Sequence, residues 1–352
     1  MTRDRDTGSL TDVDGVLVGH HRRTGRGWQT GTTVVYVPDG AVCAVDVRGG
    51  GPGTRETDAL AAGNLVDRVH AVCLSGGSAY GLASADGVMA ELEDRRLGVP
   101  VGPEPEHVVP VVPTAVIFDL GRGGGFGHRP TPEFGRRALR SAGRTRRRGA
   151  LGAGTGARAG GLQGGVGMAS TTVDAGVDVG EQTVHVAALA VVNASGCVVD
   201  PDSGAPWYAH PALRRPPADD RRAWRRWVQD QIVEQQPLNT TIGVVATDAD
   251  LDRAEAGRIS MAAHDGLARA IRPAHALTDG DTVFTLATGR VPLVGDRDGL
   301  VRSATSRVVS LNAIAAAAAD VFALACVDAI VHATSVGSSP AYLDLCPGAR
   351  RP

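Results

Sequence analysis

The sequence predicts an α/β protein built as a four-layer αββα sandwich. Of its 352 residues, 43% are hydrophobic and 21% are charged, which is typical of a globular protein with a substantial core. Short β-branched runs supply enough strands for two sheets, and apolar helical segments supply cover for the outer faces. No internal repeat or clean domain boundary is visible, so we expect residues 1–352 to form a single domain.

The first half of the chain contains predicted strands and one helix. Apolar segments predict strands at residues 31–38, 41–47, 71–74 and 108–120. Pro113 marks a break or an edge within the last of them. Small residues at 75–78 precede a helix expected at about residues 80–93. Residues 121–167 are rich in Gly and Arg, and we interpret them as solvated loop.

A strand and a linker-like segment precede the middle of the chain. Residues 185–192 predict an apolar strand that ends at Asn193. Residues 201–236 are rich in proline and charge, and their last part, residues 219–236, is expected to be helical. This composition is typical of a linker that delivers the following residues to a particular place.

Two strands and two helices are predicted in the last third. Residues 240–246 form a β-branched strand, and Asp252 can cap a helix that ends at Ile271. Residues 281–288 predict a further strand. The long apolar run at residues 306–333 contains polar interruptions, so we interpret it as a buried helix and not a membrane span.

The charge composition excludes several classes of protein. The net charge is −2, which gives no electrostatic case for binding nucleic acid or an acidic membrane. All 36 basic residues are Arg, so a Walker P-loop, a Schiff-base enzyme and a Ser–Lys dyad are excluded, because each needs a Lys. No apolar stretch follows the N-terminal residues, so we expect a cytoplasmic protein without a secretory signal.

Three further motifs lack the neighbouring residues or the spacing that their usual functions require. The Gly-rich segment 152–156 looks like a dinucleotide loop, but the residues after it cannot form a sound helix, so close backbone approach is the better interpretation. Ser-Gly-Gly-Ser at 75–78 lacks the spacing of a serine-hydrolase elbow and suits tight packing or a carboxylate at a helix N-terminus. The histidines show no metal-binding spacing. We therefore expect neither a cofactor nor a metal.

The junction between Asn239 and Thr240 carries the strongest chemical signal. A hydroxyl residue follows an Asn at the entrance to an apolar strand. Cleavage of this bond would give Thr240 a free α-amine beside its own hydroxyl. One residue would then hold both nucleophile and base, because an α-amine titrates near neutral pH.

Asp279 and Asp281 flank a glycine at the start of a predicted strand. Taken alone, Asp-Gly is a common turn. The functional alternative is a pair of carboxylates near the Thr240 amine, which would orient it and stabilise its charged form.

These segments together resemble the self-processing L-aminopeptidase/D-amidase-esterase family, the DmpA-like peptidases, which includes the nylon-oligomer endo-amidases. The resemblance covers nearly the whole chain and is specific in combination. It is carried by residues 10–20, 46–50, 51–58, 74–81, 152–156, 192–194, 239–242, 261–271 and 279–282. It implies an αββα fold similar to the N-terminal-nucleophile hydrolases and to ornithine acetyltransferase, and a precursor that cuts itself into residues 1–239 and 240–352.

The resemblance also implies roles for single residues. Thr240 matches the nucleophile, and Asn239 matches the residue before the cut. Asn193 matches an Asn thought to support the oxyanion. Asp279 and Asp281 match the acidic pair of the Thr-type relatives. A substrate-binding position that is Tyr in the nylon-oligomer enzymes is occupied by Phe118.

One position departs from the family pattern. The Thr-type relatives carry a Lys shortly after the Gly-rich loop, and the aligned residue here is taken as Gly161. Either the α-amine of Thr240 suffices, or an Arg such as Arg158 supplies the positive charge.

The sequence thus predicts a self-processing aminopeptidase or amidase that acts on peptides or small amides and assembles as a homo-oligomer, a tetramer of αβ units. An endo-acting oligoamide hydrolase and an acyltransferase of the ornithine acetyltransferase type remain alternatives, although the motif that precedes the acyltransferase nucleophile is not seen. A binding protein that never cleaves itself is the alternative from another class. Without the expected Lys, small substrates with a free amine are predicted over long oligoamides.

Overall fold

The computed structural model describes residues 6–174, 183–231, 239–293 and 307–352. The longer strands are β1 (Leu17–Gly25), β2 (Trp28–Val47), β4 (Arg68–Ser75), β10 (Gly165–Asp174), β11 (Thr183–Asn193), β12 (Thr240–Ala249) and β13 (Thr282–Val291). The short strands are β3 (Thr54–Arg55), β5 (Val99–Pro100), β6 (Val108–Val109), β7 (Thr114–Val116), β8 (Arg158–Ala159) and β9 (Leu162–Gln163).

The α-helices are α1 (Ser84–Asp94), α2 (Pro132–Arg140), α3 (Ala218–Asp230), α4 (Arg253–Ala270), α5 (Arg307–Val331) and α6 (Tyr342–Leu345). Helix α4 begins with a capping box, in which the Asp252 carboxylate accepts from the Glu255 N–H and the Glu255 carboxylate accepts from the Asp252 N–H. The predicted cap is therefore confirmed.

A nine-stranded sheet connects both halves of the molecule through β2. Its order is β10-β11-β12-β13-β2-β4-β7-β3, and β1 pairs with β2. The first part of β2 pairs with β1 and β4, whereas its last six residues pair with β13. The register shifts between Tyr36 and Ala41, midway along β2. The two predicted strands at 31–38 and 41–47 are thus one long strand shared by both halves of the sheet.

Alternating side chains divide the interior into three apolar cores. On one outer face, α1 and α2 cover β2 and β4. On the other, α4 and α5 cover β11 and β13. Between them, residues from β2 and β4 face residues from β11, β12 and β13, such as Val35, Leu189 and Phe284. Three cores separate four layers, which confirms the predicted αββα sandwich.

The prediction of a solvated loop at residues 121–167 is wrong for much of its length. This segment contains helix α2, a buried 3-10 turn at Gly152–Gly154 and the start of β10. Arg148 is also buried, against Asp328 of α5. A Gly- and Arg-rich composition does not show which glycines admit close packing or which arginines meet a buried carboxylate, so it misled the interpretation.

Other predicted elements differ from the observed helices and strands in their bounds. A 3-10 helix at Ser78–Ala83 precedes α1, and the expected strand at 108–120 is reduced to β6 and β7. The predicted helix at 219–236 is observed as α3, and residues 232–238 lie outside the described part of the chain.

Helix α5 is long and apolar enough to cross a membrane by length and composition. Most of its residues are buried within this fold, where it packs on α4 and on the outer face of β11. It is the core helix that the polar interruptions at Asn312, Asp320 and Asp328 predicted.

Candidate active site

Thr240 is the first residue of β12 and is 5% exposed. It lies directly opposite Asn193 in the antiparallel pair with β11. Opposite residues in such a pair project from the same face, with neighbouring Cβ atoms. Because Ile242 and Val191 belong to the inner core, alternation places the Thr240 and Asn193 side chains at the end of that core, between the two halves of the sheet.

The bond between Asn239 and Thr240 is enclosed by the turn at Gly280. Thr240 Oγ1 donates to the Asn239 carbonyl oxygen. The Gly280 N–H lies 3.2 Å from that carbonyl oxygen and 3.2 Å from Thr240 Oγ1. A Cβ on Gly280 would lie 3.0 Å from Thr240 Oγ1 and 2.8 Å from Gly51 O, so this position favours glycine. The nucleophile, the carbonyl group and a backbone donor therefore meet at one place.

Asp281 holds the backbone beside the nucleophile. Its Oδ1 accepts from the Thr241 N–H at 2.7 Å. Its Oδ2 accepts from His275, through the backbone N–H at 3.1 Å and through Nδ1 at 2.8 Å. Val283 and Ala287 belong to the outer core, so alternation places Asp281 on the face of the sheet opposite the Thr240 side chain.

Asp279 connects the two strands that flank the start of β12. Its Oδ1 accepts from Ser195 Oγ at 2.8 Å, and its Oδ2 accepts from the Ala276 N–H at 2.9 Å. Ser195 follows the end of β11, and Asp279 precedes β13, so this bond connects the two strands that flank β12. Burial raises the pKa of Asp279, and the nearby Asp281 charge raises it further.

Asn193 is fully buried, and two donors converge on its carbonyl oxygen. The Arg158 N–H donates to Asn193 Oδ1 at 3.0 Å, and Arg122 Nη1 donates to the same atom. Among the described residues, Asn193 Nδ2 has no hydrogen-bond partner. Its N–H groups thus have no acceptor within the described chain, at a position directly opposite Thr240.

The Gly-rich segment 152–156 packs against Asp119 and Arg122. A Cβ on Gly156 would lie 2.7 Å from Asp119 Cβ, and the Gly156 carbonyl oxygen accepts from Arg122 at 2.5 Å. The segment brings its backbone close to other groups, as the sequence predicted. Burial raises the pKa of Asp119 to about 6 and lowers the pKa of Arg122 to about 10.

Gly161 lies away from these groups, in the exposed turn between β8 and β9. Its φ of +86° and that of Gly160, +54°, favour glycine at both positions. The Arg158 guanidinium is directed toward Ser338, with Nη2 3.4 Å from Ser338 Oγ, while its backbone N–H meets Asn193.

Phe118 is half-buried and follows β7. The last residue of β7, Val116, donates to Gly53 O at 3.0 Å. The neighbouring Gly51 N–H donates to Asp279 O at 2.7 Å, so Phe118 follows a strand end that adjoins the loop at the acidic pair.

The structure therefore brings Asn239, Thr240, Asn193, Asp279 and Asp281 together. Sequence reasoning missed Ser195, His275, Gly280, Arg122 and Asp119. The signal for Gly280 was its place between the two aspartates. Arg122 had no signal, because it lies in the Gly-rich stretch interpreted as solvated loop.

Comparison with known proteins identifies the family. The sequence pattern of peptidase family S58 matches residues 8–341. An uncharacterised aminopeptidase of Mycobacterium tuberculosis is 50% identical over 97% of this chain and 98% of its own length. A 6-aminohexanoate-oligomer endohydrolase of a Kocuria species is 31% identical over 82% of this chain and 78% of its own length.

Solved structures show the same fold. A β-aminopeptidase of a Burkholderia species has a TM-score of 0.70 and 21% identity, covering 100% of this chain and 97% of its own. The L-aminopeptidase D-Ala-esterase/amidase of Ochrobactrum anthropi, described as a variant of the Ntn-hydrolase fold, has a TM-score of 0.69 and 20% identity, covering 97% and 90%. The chain belongs to peptidase family S58 and is a hydrolase of amide bonds.

Proposed function

We propose that this S58 peptidase cuts its own chain between Asn239 and Thr240 and then uses Thr240 as an N-terminal nucleophile. The observation that carries the proposal is the enclosure of this bond by a backbone donor. Thr240 Oγ1 and the Asn239 carbonyl group meet at the Gly280 N–H. A preorganised donor at a carbonyl oxygen stabilises the negative charge that develops when a nucleophile attacks its carbon.

Self-cleavage proceeds in two balanced steps. Thr240 Oγ1 forms a bond to the Asn239 carbonyl carbon, and the C–N bond breaks as the hydroxyl proton passes to the departing nitrogen, so that the acyl group moves to oxygen and the Thr240 nitrogen becomes a free amine. Water then hydrolyses the ester, which releases the Asn239 carboxylate and restores the Thr240 hydroxyl. The Gly280 N–H supports the oxyanion of the first step.

The processed enzyme repeats this chemistry on a substrate. The α-amine of Thr240 takes the proton from Oγ1 as that oxygen attacks the substrate amide, and it later protonates the leaving amine. Asn193 Nδ2 supports the substrate oxyanion from the same face of the sheet. Loss of one such donor in other enzymes costs about 10²–10³-fold in kcat.

The acidic pair would stabilise the new amine. Asp279 spans the entrance of β12, and Asp281 holds the Thr241 N–H. Among the described residues, the two carboxylates accept from neutral backbone and side-chain donors and from His275. An ammonium group at Thr240 would add a positive charge beside them.

The substrate class that we favour is a short peptide or small amide with a free N-terminal amine. The buried carboxylates suit a cationic substrate, whereas a neutral oligoamide gains nothing from them. The endo-acting alternative is favoured by the oligoamide hydrolase relative. Initial rates on an amino-acid p-nitroanilide and its N-acetylated form distinguish the two, because faster cleavage of the blocked compound supports the endo-acting enzyme. Assembly as a tetramer of αβ units and a cytoplasmic location complete the proposal.

The proposal is tested on a denaturing gel. The purified protein should run as two chains, and the smaller, of 113 residues, should begin Thr-Thr-Ile-Gly-Val-Val. Thr240→Ala should remain a single chain without hydrolase activity, because the oxygen that carries the acyl group is gone. Thr240→Ser, the matched control, should retain part of both activities. A continuous wild-type chain that hydrolyses amides, or a Thr240→Ala protein that is cut normally, would contradict the mechanism.

A further inference from the structure

The orientation of the Asn193 amide is determined by its donors. A side-chain amide can present either oxygen or nitrogen, and only its hydrogen-bond partners distinguish the two. Here one atom of the Asn193 amide receives both the Arg158 backbone N–H and Arg122 Nη1. Neither group can accept a hydrogen bond, so that atom must be Oδ1. The nitrogen is thereby turned the other way.

Arg122 is itself held by fixed groups. Nη1 also donates to the Gly156 carbonyl oxygen at 2.5 Å, and the buried Asp119 charge lies near the guanidinium. Asp119 in turn accepts from the Gly77 N–H at 2.6 Å. This chain of contacts runs from the half of the sheet that carries β4 and β7 to Asn193 at the end of β11, so it connects both walls of the inner core.

We propose that Arg122 is a positioning residue: its hydrogen bond to Asn193 Oδ1 keeps Nδ2 directed at the oxyanion of the reaction at Thr240. The inference rests on the proposed function, and it assigns a task to a residue whose described hydrogen bonds are to Asn193 and Gly156. It also assigns the positive charge that the absent Lys would have supplied. We assign that charge to Arg122, because its guanidinium donates to Asn193 Oδ1, whereas Arg158 donates to Asn193 through its backbone N–H.

Arg122 acts through geometry and charge. Without it, Oδ1 would retain the Arg158 N–H as its remaining described donor, and the amide could turn away from Thr240. With it, the Asn193 dipole is fixed before the substrate arrives, which is how a preorganised donor lowers the barrier of acyl transfer. Self-cleavage depends less on Arg122, because the Asn239 carbonyl oxygen already meets the Gly280 N–H.

The kinetic test compares Arg122→Gln and Arg122→Lys with wild type. Arg122→Gln should still be cut at Asn239, which reports an intact fold, and its kcat should fall by about 10²-fold. KM should change by less than about threefold, because Arg122 does not bind the substrate. Arg122→Lys, which keeps the charge and one donor, should recover part of kcat.

Arg307→Gln is the matched control. Arg307 is also a buried arginine, with bonds of 2.6 and 2.7 Å to Glu255 and of 2.6 Å to Asp250 O. Asp250 follows the far end of β12, roughly 30 Å from Thr240 by the rise of a strand. This variant should lower the melting temperature and leave kcat unchanged. If Arg122→Gln likewise lowers the melting temperature and leaves kcat unchanged, Arg122 serves the fold alone and the inference is wrong.

A neutron crystal structure of Arg122→Gln, in which the amide hydrogens distinguish Nδ2 from Oδ1, separates this inference from the proposed function. The Asn193 side chain should turn or occupy two orientations, whether or not wild type cuts itself. An Asn193 amide that keeps its wild-type orientation in the variant would overturn the inference. A wild-type protein that remains a single inactive chain would instead overturn the proposed function, and the Asn193 orientation would still report on Arg122.

Discussion

Two buried groups of aspartates in this molecule differ in the charge of their partners. Asp328 of α5 is fully buried and meets Arg148, His210 and His332 within 3.2 Å. Asp279 and Asp281 are almost as buried, but their strongest described contacts are with neutral donors and one histidine. Each group contains contacts between residues that precede position 240 and residues at or after it.

The pKa values of the two groups shift in opposite directions. Burial opposes ionisation of Asp328, but hydrogen bonds from His210 and His332 and the Arg148 charge hold its pKa well below its usual range. Burial raises the pKa of Asp279, and the neighbouring Asp281 charge adds to the effect. Asp328 thus meets Arg148 and two histidines, whereas among the described residues the charge that lowers the pKa of Asp279 comes from His275 alone.

This difference is the one expected if Asp328 has a structural role and Asp279 has the catalytic role proposed above. A buried charge whose partners are already in place would be unaffected by the proposed cleavage. Carboxylates whose pKa values are perturbed by burial and by a neighbouring charge cluster at functional sites. At Asp279 the proposed cleavage would add the charge of the new Thr240 ammonium. The Asp328 group, by joining Arg148 and His210 to α5, would also keep the two chains associated after cleavage.

The largest expected effect is on stability, at Asp328. Asp328→Asn removes the buried counter-charge of Arg148 and leaves it only the exposed Asp6 carboxylate at 3.5 Å, which should lower the free energy of unfolding by about 3–5 kcal/mol. Turnover per folded molecule should be unchanged. Asp320→Asn on the same helix is the control, because the pair of Asp320 with Arg269 is exposed and is worth at most about 1 kcal/mol. Urea denaturation measures both, and equal losses would contradict the comparison.

The next effect is on turnover, at Asp281. Asp281→Asn keeps the volume but removes the charge and one acceptor for His275, so kcat should fall by about 10²-fold. The melting temperature should change little by comparison with Asp328→Asn. Asp265→Asn, an exposed aspartate 3.6 Å from Arg48, is the control and should keep full activity. Wild-type turnover in Asp281→Asn would reduce the segment 279–282 to a simple turn.

The smallest effect is on the pH dependence of the unfolding free energy, to which Asp328 and Asp279 should contribute slopes of opposite sign. It is measured in the Thr240→Ala protein, whose chain stays continuous. The pKa of Asp328 is lower in the folded state, so its stabilisation is present above about pH 4 and is lost as the pH falls further. The pKa of Asp279 is higher in the folded state, so its contribution falls as the pH rises above about 4. Asp328→Asn and Asp279→Asn should therefore remove slopes of opposite sign from the unfolding free energy, and slopes of the same sign would contradict the assignment.

Much of this protein could be predicted from local sequence. Apolar and β-branched runs located β2, β11, β12 and β13, a capping aspartate marked the start of α4, and a long apolar run located α5. The Asn239–Thr240 junction and the pair Asp279 and Asp281 were recognisable because their chemistry depends on residues close in sequence. The four layers followed from the number and type of elements.

Tertiary structure alone decided which distant residues complete the site. Ser195 reaches Asp279 across 84 positions, and Arg122 reaches Asn193 across 71. No local pattern encodes such contacts, because they arise only when β11, β12 and β13 align and the Gly-rich turns close against them. The same composition that suggested a solvated loop at residues 121–167 holds a helix, a buried turn and an enclosed arginine, since the burial of a charge depends on the partner that the fold brings to it.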